Sequence, residues 1–185
     1  MSAATQNTSP PLEIIYELPS IQFPPVSERA HGEVCMAILR RSGRFLLQTK
    51  QNYPGSVMRL PSGGIHRGER AREALMREIW EETNLTVEIE RFVARIGYHA
   101  GPARSRFYTH LFLVRELSGV LQSNDPEEKI SDWQEVLPEE LPLYADKLRT
   151  ITPSWRSWGI FRAAAIDILC KNAAHLFARN QTEVE

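Results

Sequence analysis

Cysteine is scarce in this chain, with two in 185 residues, far apart in sequence, and no Cys/His cluster of zinc type is present. Cys35 lies inside the apolar run Val34 to Leu39 and reads as a buried, reduced thiol. GxxxxGK[ST] loops, GxSxG elbows and GxGxxG fingerprints are also missing, which removes the usual sequence signals of other nucleotide and acyl chemistries. No segment approaches about 18 unbroken apolar residues, so no membrane contact is expected. The start, MSAATQNTSPPLEII, has neither the basic residues nor the apolar stretch of a secretion signal, and the expected compartment is cytoplasmic. Net charge is lacking too: 22 basic residues against 23 acidic give -1. No global field draws the chain to nucleic acid, and an RNA-directed activity would need a local arginine patch.

What is present is a globular composition, 42% hydrophobic and 24% charged, in a length that suits one domain. Residues 1–29, rich in Ser, Thr and Pro, read as a tail and an extended arm with room for one short strand near Leu12 to Tyr16. Residues 30–177 read as the domain, including a C-terminal helix, and 178–185 as a second tail. Val34–Leu39 and Phe45–Thr49 flank a Gly43-containing turn and predict a hairpin. Ser62-Gly63-Gly64 predicts a loop. Arg70 to Thr83 has no Gly or Pro, and Leu75, Ile79 and Thr83 recur at helical spacing as a buried stripe. Strands are expected at 86–98, 106–117 and about 130–137, a short helix from Pro138, and a longer one from Trp155 to about Leu176. Trp158, Phe161, Ala165, Ile168 and Leu169 share a face of that last helix, suited to packing on the sheet or to a dimer surface.

Glu78, Glu81 and Glu82 form a second stripe on the 70–83 helix. Like charges at this spacing cost about 0.2–0.5 kcal/mol per pair, and a divalent cation would turn that repulsion into attraction. Oxygen-only ligands suit Mg²⁺ or Mn²⁺, which bind through a few carboxylates plus substrate phosphates. The plainer alternative is a solvated helix held by Glu73–Arg77 and Arg77–Glu81 pairs.

The whole string, Gly63-Gly-Ile-His-Arg-Gly-Glu69, seven residues, then Arg77-Glu78-Ile79-Trp80-Glu81-Glu82-Thr83-Asn84-Leu85, resembles the Nudix box G-x5-E-x7-R-E-U-x-E-E-x-G-U. Asn84 alone departs at a fixed position, standing where the family has glycine; Asn tolerates the left-handed helix end nearly as well. The resemblance implies an α/β fold, an α/β/α sandwich with a mixed β-sheet, and a hydrolase cleaving a phosphoanhydride bond in a nucleoside diphosphate derivative. It implies that Glu78, Glu81 and Glu82 hold the metal with a backbone carbonyl near Ser62 or Gly63, and that Glu69 and Arg77 are structural partners. Glu81 is one candidate proton acceptor. In relatives an acid from a later loop often joins the site, and Asp125, Glu127, Glu128 and Asp132 compete for that role, with Glu128 chosen here.

The implied partner is a small-molecule nucleotide: a nucleoside triphosphate, an ADP-sugar or a similar compound. Gly101-Pro102 with Arg104 and Arg106 lies near where ADP-sugar pyrophosphatases carry a proline-containing loop, although at a different offset and without the accompanying acid. Arg59 is a second candidate for substrate contact, its plain alternative being a surface arginine on a short strand. A non-catalytic nucleotide-binding or sensor module of the same fold is the competing reading; such modules usually lose box carboxylates, and this chain keeps all four. The N-terminal arm and C-terminal helix are the segments a homodimer would use.

Overall fold

The computed structural model describes residues 12–18, 32–100 and 105–172. Its central strand, β2 (Glu33–Leu39), is buried along its whole length, and the alternation of side chains along it divides the core in two. Val34, Met36 and Ile38 join Leu75 and Ile79 of α1 (Ala71–Thr83) in one cluster. Cys35, Ala37 and Leu39 join residues of α2 (Leu141–Arg149) and α3 (Arg156–Asn172) in the other. A sheet with α1 on one face and α2 and α3 on the other is the expected α/β/α sandwich. Cys35 is a free thiol whose pKa burial, with the charge of Glu33, pushes up to about 12.

The sheet runs in the order β1 (Leu12–Leu18), β5 (Leu85–Ala100), β6 (Ser105–Gly119), β2, β3 (Phe45–Lys50) and β7 (Ile130–Val136), with β4 (Ser62–Gly64) pairing on β2. β5 and β6 form an antiparallel pair longer than the sequence pattern suggests. On one side of them β1, the strand of the N-terminal arm, runs parallel to β5. On the other side β6 runs parallel to β2, and β3 carries antiparallel β7, so the sheet is mixed. Leu111 and Leu113 of β6 face the α2–α3 cluster while Phe112 and Val114 face α1, the two-sided burial its alternation predicts.

The β2–β3 hairpin closes through Arg40 N–H donating to the Arg44 carbonyl at 2.8 Å, with Gly43 at φ 77°. Beyond the pair Leu39 and Phe45 the strands part, and the loop before α1 enters the gap as a wedge. Gln48 and Arg59 exchange backbone bonds of 2.9 and 3.0 Å on the β3 side. Met36 N–H donates to the Pro61 carbonyl at 2.9 Å, and Glu33 to Cys35 pair with residues 62–64, on the β2 side. A loop that would otherwise lie outside thereby becomes part of the sheet, directly under α1.

All five apolar residues assigned to the face of α3 are buried with the sheet cluster, so that face packs internally. The terminal helix is described to Asn172, short of the expected end. The helix expected from Pro138 is a 3-10 turn, Pro138–Glu140, running into α2. No helix among the described residues is long and apolar enough to cross a membrane.

Where α3 crosses α2, a Cβ on Gly159 would lie 1.9 Å from the Leu148 carbonyl oxygen. Alanine is favoured over glycine in a helix by about 1 kcal/mol, but forcing atoms into a packed contact costs about 1–3 kcal/mol. Because the contact is with backbone, that cost falls at the upper end, and Gly159→Ala is expected to destabilise the protein by about 1–2 kcal/mol net in urea unfolding; a neutral or stabilising effect would contradict this packing.

Candidate active site

The wedge and α1 meet at Gly63 and Glu78. A Cβ on Gly63 would fall 1.7 Å from the Glu78 carboxyl carbon, so the carboxylate lies against bare backbone and only glycine leaves room for it. One turn further along the same face, Glu82 is fully buried. Leu75 and Ile79, on the adjacent stripe, anchor the helix at full burial and hold both acids at the sheet.

Glu128 reaches them from the loop before β7. The last turn of α1 leaves carbonyls without helical partners, and this loop supplies donors: Asn124 N–H to the Glu81 carbonyl at 2.8 Å and Gln122 N–H to Thr83 at 3.2 Å, while the Asn124 side chain adds a second bond, at 2.9 Å, to the Trp80 carbonyl already capped by Asn84 N–H. Asn84 ends the helix in the left-handed conformation, at φ 55°. Its side chain also donates to the Val120 carbonyl at 3.1 Å and accepts from Asn124 Nδ2 at 3.0 Å, two contacts a glycine would lack. A 3-10 turn, Pro126–Glu128, capped by the Asp125 side chain on Glu127 N–H, then carries Glu128 inward.

One carboxylate oxygen from each of Glu78, Glu82 and Glu128 lies within 4.8 Å of the others. Glu78 Oε2 and both oxygens of Glu82 are buried without a hydrogen-bond partner, a costly state for ionised groups. Burial, joined by the charge of Glu82 and opposed by Arg77, lifts the Glu78 carboxyl to about 7. Burial also raises Glu82, against the pull of Lys50 and Arg59. Glu128 is lowered, because Lys50 outweighs its desolvation. Lys50 Nζ contacts Glu128 Oε2 and lies 3.0 Å from Glu82 Oε1, an ion pair not aligned as a hydrogen bond.

Glu81 does not join this group. Its carboxylate accepts from Arg77 Nη1 at 2.9 Å, and a quarter of its side chain is exposed. Arg77 is the hub of the helix entrance. It donates twice to Glu69, at 2.8 and 2.9 Å, and to Glu78 and the Gly64 carbonyl at 2.7 and 2.8 Å. Glu69 also accepts from His66 N–H at 2.8 Å, and Arg77 holds its carboxyl down at about 2. The alternative Glu73–Arg77 pairing does not form among the described residues; Glu73 instead accepts from Arg70 N–H at 3.0 Å and starts the helix.

Arg59 is not at the surface. It is 2% exposed, donates to the Tyr53 hydroxyl, the Leu60 carbonyl and Ser62 Oγ at 2.9, 2.7 and 3.0 Å, and so stiffens the wedge. Ser62 Oγ also accepts from Arg162 Nη1 of α3 at 2.9 Å, and the same nitrogen donates to both carboxylate oxygens of Glu33 at 2.9 and 2.7 Å. Lys50, Glu33 and Arg162 escape sequence reasoning. A usable signal existed for Arg162, a lone charge beside the apolar face of α3; for Lys50 the β3–β7 pairing had to be known. Gly101, Pro102 and Arg104 lie outside the described residues, as does the side chain of Arg106, which is placed only as a position in β6.

Among known proteins, the family model described as NUDIX domain matches residues 29–155. An RNA pyrophosphohydrolase of Cereibacter sphaeroides is 37% identical over 62 residues, 34% of this chain and 38% of that protein. An NAD-capped RNA hydrolase of Photorhabdus laumondii is 30% identical over 124 residues, 63% of this chain and 44% of its own length. The matches thus span less than half the length of either relative. A MutT NUDIX hydrolase structure from Burkholderia pseudomallei superposes with a TM-score of 0.52 at 20% identity, covering 77% of this chain and 99% of that one, a likeness of fold.

Two outcomes follow from the geometry. Glu69→Gln should destabilise the protein by about 1.5–3 kcal/mol at pH 7, since it weakens charged hydrogen bonds to Arg77. A carboxyl held at about 2 against an ordinary 4.5 contributes its stability above pH 4.5 and loses it as pH falls toward 2. The gap between wild type and variant should accordingly close in unfolding measured at pH 2–3; a gap unchanged with pH would refute the assignment. Asn84→Gly keeps the left-handed helix end but frees the loop, so amide exchange at Asn124 and Asp125 should accelerate about tenfold or more, as expected for losing about 1–2 kcal/mol of hydrogen bonding. Unchanged exchange would mean that the Asn84 side chain holds nothing.

Proposed function

The chain belongs to the Nudix family, and from that premise we propose that it hydrolyses a phosphoanhydride bond in a nucleoside diphosphate derivative. The substrate class is a nucleoside triphosphate, an ADP-sugar or a similar nucleotide. The observation that carries the reading is the set of three carboxylates within 4.8 Å, two of them buried with oxygens that have no hydrogen-bond partner. An all-oxygen donor set of this kind fits a hard divalent cation, Mg²⁺ or Mn²⁺. Glu78 and Glu82 would hold it, with the backbone at Gly63 alongside, and Glu128, paired with Lys50, closes the cluster. When bound, such a cation supplies neutralisation of the diphosphate and Lewis acidity toward the attacking water.

The chain's own residues do the rest. Arg77 fixes the Glu78 carboxylate by one oxygen and leaves Oε2 free. Glu81, tied to the same guanidinium nitrogen but accessible to solvent, is suited to take the proton of the attacking water from the rim. Glu69 and Arg77 lock the loop to the helix. Arg59, its guanidinium engaged by Tyr53, Leu60 and Ser62, acts by holding the wedge in place rather than by touching substrate.

The test is hydrolysis, followed through its products: phosphate or pyrophosphate from nucleoside triphosphates and a short 5′-triphosphorylated RNA, and the two organic phosphates formed from ADP-ribose, dinucleoside polyphosphates and NADH, with and without Mg²⁺. Expected is metal-dependent turnover of one small-nucleotide class, reduced about 100-fold or more in Glu82→Gln. Metal-independent turnover, or a fully active Glu82→Gln, would contradict the proposal. Ligand binding without turnover would favour a sensor module.

A further inference from the structure

The carboxylate cluster contains a cation of its own. Lys50 is the last residue of β3, and a register shift between Thr49 and Lys50 accompanies its turn toward the loop before β7, where Gln51 N–H donates to the Lys129 carbonyl at 2.9 Å. Its side chain is 16% exposed, and its ammonium sits against Glu82 Oε1 and Glu128 Oε2. The other side of the cluster is different. Lys50 approaches Glu82 through Oε1, whereas Glu82 Oε2 and Glu78 Oε2 are buried with no hydrogen-bond partner, and the bare backbone of Gly63 lies against Glu78. The three acids are thus divided between a face already neutralised and a face that is not.

We propose that the Lys50 ammonium is a built-in occupant of one cation position, so that the substrate-free protein holds a single divalent ion, between Glu78 and Glu82. An ammonium is a compact point charge with three donors and no acceptor. It cannot share the Glu82–Glu128 face with a divalent ion, because two cations at contact distance in a poorly solvated site repel strongly. Removing the ammonium exposes two further carboxylate oxygens and opens a second position. The inference rests on the cluster being a divalent-cation site, and its test needs no turnover.

Free Mn²⁺ is counted by electron paramagnetic resonance during titration of the substrate-free full chain. Wild type is expected to bind one ion and Lys50→Met two, the first about tenfold tighter or more because a nearby positive charge has gone. Lys50→Arg keeps the charge and is expected to bind one. Lys50→Gln, polar and shorter, is expected to match Lys50→Met and serves if methionine is not accommodated among the acids. Two ions on wild type, or neutral variants with the wild-type count and affinity, overturn the role of Lys50; if Glu82→Gln still abolishes binding in that case, the metal site itself stands. No Mn²⁺ bound by wild type overturns both.

Discussion

Three carboxylates held within 4.8 Å of one another, two of them out of reach of water, set the terms for everything around them. At an effective dielectric constant near 20, each pair of full charges at that distance repels by about 3–4 kcal/mol. Burying a leucine or isoleucine side chain gains about 1.5–3 kcal/mol, so the stripe of Leu75 and Ile79 does not by itself outweigh the repulsion. Charge must therefore be removed or matched. The raised carboxyls of Glu78 and Glu82, the ion pairs of Lys50 and the hydrogen bonds of Arg77 are the forms this takes. A divalent cation would do the same more completely.

The fold delivers these groups from three places that are distant in sequence. The opened β2–β3 hairpin admits the wedge, which brings Gly63 under the helix. The helix brings Glu78 and Glu82. The unsatisfied carbonyls at its C-terminus recruit the loop that brings Glu128, so a requirement of helix endings also positions a site residue. Asn84 takes part twice, through its backbone conformation and through its side chain. Behind the wedge, Arg59, Ser62, Arg162 and Glu33 tie the site to α3 on the opposite face of the sheet.

Local chemistry is what the sequence displays well. The period of Leu75, Ile79 and Thr83, the alternation along β6 and the turn at Gly43 each report a structure set by near neighbours, and each element is found within a few residues of its expected place. The box spacing brings out Glu78, Glu82, Glu69 and Arg77 because all four lie on one short stretch of chain. Glu81 shows the limit of that reasoning: its spacing matches the other acids, yet its angular position on the helix gives it to Arg77 instead. Arg59 shows another, since nothing local predicts that a charged residue will be enclosed between strands. Lys50 depends on pairing between β3 and β7, Glu128 on capping by a loop some forty residues beyond the helix, and both are tertiary facts.

Family membership and the sandwich fold leave the identity of the substrate to the surfaces around the cluster, since a fold of this kind carries many activities. The common element is the cation that the acids would share. It is most directly tested by a crystal structure of the protein soaked in Mn²⁺, with anomalous scattering used to locate the ion. The account predicts a peak bonded to oxygens of Glu78 and Glu82; no peak there at saturating Mn²⁺, or a peak only at other acids, would contradict it.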